Sequence, residues 1–176
     1  PLFAATLKGP QGEPVLRMYE YERVRGVVYQ MDFSLPADSR VLYARMRVVN
    51  PSYRSTAMYW WSNIAAPHTE GARVVVPADS AYTPVDGVMS LVPTPVRDGT
   101  DITYPDNNPV SVDYFFKTDP KRRMYTCQLD EEGYGLFESS TQRLQGRKIF
   151  VWGQGPGGRK WQEYLSGEGS LGQYCE

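Results

Sequence analysis

The chain reads as an all-β protein of antiparallel sheets packed on one another. Three observations predict this. Short apolar stretches with period-two alternation recur from Leu2 to Trp152. Clusters of turn residues separate them, as in Lys8-Gly9-Pro10-Gln11-Gly12-Glu13 and Pro36-Ala37-Asp38-Ser39. Helical periodicity is nearly absent, and the one expected helix is a short one over Trp161–Leu165. At 176 residues the chain is long enough for one domain with a real core and short for two, so the expectation is a single β-sandwich domain over residues 1–176.

The elements justify this in order. Leu2–Leu7 leads through its turn into Val15–Tyr21, and Val27–Leu35 alternates well before the next turn. In Val41–Val49, Arg45 and Arg47 point one way while Ala44, Met46 and Val48 point the other, and Asn50-Pro51-Ser52 ends the strand. The aromatic stretch Met58–Asn63 reads as the next strand, with a short apolar run stopped by Pro67 after it, and then Arg73–Val76. Between Pro77 and Pro109, Pro84, Pro93, Pro95 and Pro105 deny the ladder its donors. That segment is expected to hold at most short strands joined by irregular loops, which line a site or are partly disordered. Strands resume at Val110–Lys117, Met124–Asp130, Tyr134–Ser140 and Arg147–Trp152. Both ends of the chain fall inside strand-like sequence, which leads us to expect a fragment of a longer domain, cut at both ends.

Composition limits the function. The 19 basic and 20 acidic residues nearly cancel, leaving no field of one sign to attract nucleic acid or an anionic membrane. No apolar run approaches a membrane span and no leader pattern opens the chain, so the expected location is cytoplasmic. Cys127 and Cys175 match no zinc or redox spacing; two reduced, half-buried thiols are the simplest reading, with one disulfide as the alternative. His68 is the only histidine, so neither a metal site nor a histidine-activated Ser or Cys nucleophile is expected, and no cofactor is implied. Its place after Pro67 suggests a solvated loop side chain.

The most informative stretch is Met58-Tyr59-Trp60-Trp61-Ser62-Asn63. In an extended strand, Tyr59 and Trp61 share one face, and Met58, Trp60 and Ser62 the other. One face can anchor in a core while the other offers a flat aromatic surface beside hydroxyl and amide groups, which is how proteins hold a sugar ring. The alternative is that every aromatic here is core. Gly153-Gln154-Gly155-Pro156-Gly157-Gly158-Arg159-Lys160 is glycine-rich but lacks the Gly-Lys-Ser/Thr of a phosphate loop and any surrounding βαβ unit. It reads as a flexible wide loop between Trp152 and Trp161. The remaining chemistry lies in carboxylates: Glu163, Glu168 and Glu176 near the end, with Asp79 and Asp86 in the middle. A pair of them can act as acid and base on a glycosidic bond.

Six stretches carry a resemblance: Asn50-Pro51, Met58–Ala65, Arg73-Val74-Val75-Val76-Pro77-Ala78-Asp79, Leu136–Thr141, Lys148–Gly153 and Trp161-Gln162-Glu163-Tyr164. Together they resemble the DUF5107 family, whose members carry an amino-terminal β-domain followed in many cases by tetratricopeptide repeats. The resemblance implies a β-supersandwich similar to galactose mutarotase, with a sugar cleft lined by a strand, an Asn-containing turn and an aromatic strand. In some hexose epimerases of that superfamily the last strand supplies a catalytic glutamate, which corresponds here to Glu176. The histidine of mutarotases has no counterpart, and the family's Gly/Glu/Asn/His-rich segment is not in this sequence. The expected function is therefore carbohydrate binding or carbohydrate chemistry. Trp60, Trp61, Ser62, Asn63, Trp152 and Trp161 would line the cleft, and Glu168 or Glu176 would be the acid–base groups of an intact parent. The expected ligand is a hexose or glycan end; protein partners would come through the repeats. The alternative is a non-catalytic interaction or structural module.

Overall fold

The computed structural model describes residues 2–141, 143–166 and 171–175. The chain divides into two compact units, residues 1–60 and 61–176.

In the first unit, alternation through Val49 produces a four-stranded antiparallel meander: β1 (Phe3–Lys8), β2 (Pro14–Glu22), β3 (Val27–Ser34) and β4 (Tyr43–Val49), in that spatial order. Register sorts its two faces. One carries the cross-strand rows Ala4–Met18–Met31–Met46 and Thr6–Leu16–Phe33–Ala44, nearly all apolar. The other carries Ala5–Arg17–Asp32–Arg45, with Arg17 donating to both Asp32 oxygens at 2.6 and 2.8 Å. On that same face the Phe3 and Tyr19 rings stack with centroids 5.5 Å apart.

The strand expected over Met58–Asn63 is absent, and from Asn50 to Asn63 the backbone is irregular. Asn50 explains the start of this. Its side-chain amide donates to Arg54 O at 2.7 Å and its side-chain oxygen accepts from Ser52 N at 3.0 Å, while Pro51 has no donor to offer a ladder. Regular pairing resumes only at β5 (Ile64–Pro67).

The second unit contains a three-stranded and a six-stranded antiparallel sheet. β6 (Arg73–Val75), β12 (Tyr125–Leu129) and β13 (Gly135–Ser139) make the first, in the order β13-β12-β6. The second runs β5-β15-β14-β11-β7-β8, with β7 (Ser80–Val85), β8 (Val88–Pro93), β11 (Val112–Phe116), β14 (Arg147–Val151) and β15 (Leu171–Cys175). Val74 from the small sheet meets Ala81, Tyr114, Phe116, Ile149 and Val151 from the large one in a buried cluster. This is a sandwich core, and the all-β antiparallel class read from the alternation holds.

The proline-rich segment is more regular than the sequence suggests. β7 and β8 form a full hairpin through Asp86-Gly87, both at positive φ (51° and 78°), the geometry a two-residue hairpin loop needs. Asp98-Gly99 (φ 51° and 80°) joins β9 (Val96–Arg97) to β10 (Thr100–Asp101) in the same way. Pro84 is tolerated because β11 pairs with β7 only opposite Ala81 and Tyr82, and Pro93 lies on the edge strand β8.

The glycine-rich stretch also differs from expectation: α1 (Pro156–Ser166) begins inside it, with proline at a first position that needs no donor. Among the described residues, no helix is long and apolar enough to cross a membrane.

Candidate functional site

Two local features build a cleft in the second unit. Gly153, at φ 81°, and Gly158 let their backbones pass where no side chain fits. A Cβ on Gly153 would run into the Val110 backbone, and one on Gly158 into the carbonyl oxygens of Gly153 and Trp152. The turn is then tied to the segment before β11: Gln154 N–H donates to Asn108 O and Gly155 N–H to Pro109 O, each at 2.9 Å. These glycines serve close backbone packing and not a phosphate.

The segment so held forms one wall of a cleft of about 410 Å³, lined by Asn108 through Tyr114 together with Pro84, Arg97 and Phe150. Its rear is rigid. Buried Asn108 donates from Nδ2 to Ile102 O (3.1 Å) and Tyr104 O (2.9 Å), and its Oδ1 accepts from the Tyr114 hydroxyl at 3.1 Å. Burial pushes the Tyr114 hydroxyl pKa up, and the Arg97 guanidinium opposes that without cancelling it. Of the proline-rich segment, Pro84, Arg97, Asn108 and Pro109 line this cleft.

Strand alternation sets the rest. On β11 and β14, Tyr114, Phe116, Ile149 and Val151 enter the core, which turns Asp113, Phe115, Lys148 and Phe150 to the opposite face. Register pairs Asp113 with Phe150 and Phe115 with Lys148. The Lys148 ammonium lies 3.0 Å from Asp113 Oδ1, 4.2 Å from the Trp61 ring centroid and 5.2 Å from that of Phe115. Lys148 is only 7% exposed, whereas the Trp61 ring over it is 52% exposed. An ammonium is thus desolvated between aromatic faces and one carboxylate, and that carboxylate reaches the cleft wall.

The residues singled out by sequence are scattered. Trp61 is exposed and is linked to the cleft through Lys148 and Asp113; Ser62 and Asn63 are exposed in the irregular segment, and Trp60 is half-buried at the end of the first unit. Trp152 is a core residue, 1% exposed, so its ring forms no part of a cleft wall. The turn at Gly153 explains this, because it ends β14 and folds Trp152 inward. Trp161 is 48% exposed on α1, where Lys160, Glu163 and Tyr164 join it around an open hollow of about 500 Å³. None of the six lines the 410 Å³ cleft. Glu168 and Glu176 lie outside the described residues.

Other candidates find structural roles. Asp86 occupies a hairpin turn, and Asp79 accepts from the Ser80 hydroxyl at 3.0 Å. His68 is half-buried, not solvated, with Nε2 2.8 Å from Asp106 Oδ1. Cys127 is a buried free thiol whose pKa burial raises. Inside the sandwich, Arg147 donates to Met124 O, Leu144 O, Gly146 O and Ser140 Oγ. Nearby Glu138 has its pKa raised by burial, against the opposing pull of Arg147 and the Thr126 hydroxyl. Among the described residues, no three His, Cys, Asp or Glu side chains gather as a metal ion would need.

Sequence reasoning missed Arg97, Asn108, Ser111, Asp113, Lys148 and Phe150. Asp113 and Lys148 did leave a signal: a charge in the middle of an apolar strand, alternating with core residues, in two strands that pair.

No solved structure matches the chain. A family model described as a domain of unknown function, DUF5107, matches residues 11–176. With nearly its whole length matched, the chain belongs to the DUF5107 family.

Proposed function

We propose that the second unit binds carbohydrate in the 410 Å³ cleft, and that the fold is a β-supersandwich of the galactose-mutarotase-like kind. The observation that carries this reading is the make-up of the cleft wall. Asp113, Arg97 and Ser111 line the same space as Phe150 and Pro84. A hexose presents the complementary surface: vicinal hydroxyls for charged, fork-shaped partners, and C–H faces for a ring. The volume falls within the few hundred to about 1,000 Å³ typical of small-ligand sites. Trp61, held over Lys148, offers further aromatic surface to a longer glycan. Binding is favoured over hydrolysis because Asp113 is the one carboxylate among the described lining residues, and a glycosidase site needs two.

The test is calorimetric titration of the chain with a panel of free hexoses, uronic acids and short oligosaccharides. Binding of at least one is expected, with several-fold weakening in Phe150→Leu, which keeps apolar bulk and removes the ring. No heat from any member, confirmed by unchanged amide NMR spectra, would remove the reading.

A second reading rests on the open hollow at Trp161 and Tyr164. There α1 would be the contact face of a non-catalytic interaction module working beside tetratricopeptide repeats in a longer parent. Trp161→Ala would then abolish partner association and leave sugar titrations unchanged.

A further inference from the structure

Charge in the cleft is unevenly matched. Asp113 is neutralised from behind by Lys148, 3.0 Å away and outside the cleft lining. Arg97 has no comparable partner among the described residues. Its one ion pair is with Asp98, the next residue in the chain, at 3.4 Å and with an Asp98 side chain 90% exposed. Such a surface pair is worth little. The Arg97 side chain is itself only 28% exposed, and it lines the cleft beside Tyr114, whose hydroxyl Asn108 holds at 3.1 Å. A guanidinium carries a planar donor fork, the geometry that grips a carboxylate or a phosphate through two parallel hydrogen bonds.

We propose that Arg97 makes the cleft selective for an acidic sugar, one whose anionic group seats on the guanidinium while the ring lies against Phe150. The inference rests on the carbohydrate-binding reading above. Neutral hexoses would enter the same cleft with only hydroxyls to offer Arg97, and would bind more weakly. Hydrogen bonds to charged groups are strong enough that the difference should be roughly tenfold to a hundredfold.

The experiment titrates the chain with glucose, glucuronate, galacturonate, glucose 6-phosphate and acetate at fixed ionic strength. Tighter binding of a uronate or the sugar phosphate than of glucose, lost in Arg97→Gln, supports the proposal; the two arms decide between carboxylate and phosphate. Arg97→Lys keeps the charge without the fork and should recover only part of the loss. If Arg97→Gln fails to fold, salt dependence in the unaltered chain serves instead: affinity for the acidic sugar should fall with salt while that for glucose does not. Equal affinity for glucose and its acidic counterparts, or indifference to Arg97→Gln in a folded protein, overturns the selectivity and leaves sugar binding standing. Acetate binding as tightly as a uronate shows an anion site without sugar recognition, which also overturns it. Silence from every sugar removes both readings together.

Discussion

Lys148 Nζ lies 3.0 Å from Asp113 Oδ1, and the Trp61 ring, centred 4.2 Å from the same ammonium, shields the pair. Two strands contribute this arrangement through register alone, since Asp113 and Lys148 sit beside each other's cross-strand partners, Phe150 and Phe115. Its energetics are asymmetric. Removing one charge leaves the other desolvated, whereas removing both leaves no uncompensated charge. Lys148→Met should therefore destabilise the chain by about 1–3 kcal/mol, and the double change Asp113→Asn with Lys148→Met should recover most of that. Urea unfolding of the four members of the cycle measures it. Additive losses would mean that the pair is not coupled.

Trp61 and Trp152 look equivalent in sequence and should respond in opposite ways. Trp152 is sealed in the core, so Trp152→Ala should cost about 3–5 kcal/mol of stability. Trp61 is half open and contributes a cation–π contact to Lys148, so Trp61→Ala should cost about 0.5–2 kcal/mol and leave the fold intact. Thermal unfolding with far-UV dichroism separates the two. Equal losses would contradict the placement of both rings.

The contrast also shows what alternation can and cannot reveal. Period-two patterns located β2, β3, β12, β13 and β14 within a residue or two, because one sheet face must be apolar wherever a layer is buried. The β7–β8 hairpin was hidden by Pro84 and Pro93, although Asp86-Gly87 was a sufficient turn signal. Met58–Asn63 misled for the opposite reason: its aromatics have strong β-propensity, but propensity does not supply a pairing partner, and the chain there is irregular. The cleft was legible only in part. The proline-rich segment was readable as either site-lining or partly disordered, and Arg97, Asn108 and Asp113 meet through long-range register and backbone clamps that no local pattern records.

The glycine-rich turn gives a prediction that a flexible loop would not. Gly158→Ala places a Cβ against the carbonyls of Gly153 and Trp152, and Gly153→Ala adds both a backbone collision at Val110 and an unfavourable φ. Each should destabilise by more than about 1 kcal/mol, and each should disturb the cleft wall through the Gln154–Asn108 and Gly155–Pro109 bonds. Gly157→Ala, where no atom stands in the way, is the matched control and should be close to neutral. Unfolding midpoints for the three variants decide it; three similar midpoints would restore the flexible-loop description.

Glu138 adds a pH dependence whose sign follows from its surroundings. Burial raises its pKa in the folded chain, and the opposing pull of Arg147 and Thr126 does not cancel that. The folded state therefore binds this proton more readily than the unfolded one, and stability falls as pH rises through the window between the two pKa values. Its contribution is complete below the ordinary glutamate value and lost as pH climbs past the raised one. Glu138→Gln keeps the shape and a hydrogen-bonding side chain beside Thr126 but cannot titrate. The unaltered chain should thus gain stability relative to Glu138→Gln as pH is lowered from 7 toward about 4. Denaturant midpoints of both proteins across that range test the sign. A wild-type advantage that shrinks on acidification would mean that Arg147 holds the carboxylate charged, and that the desolvation argument has the balance reversed.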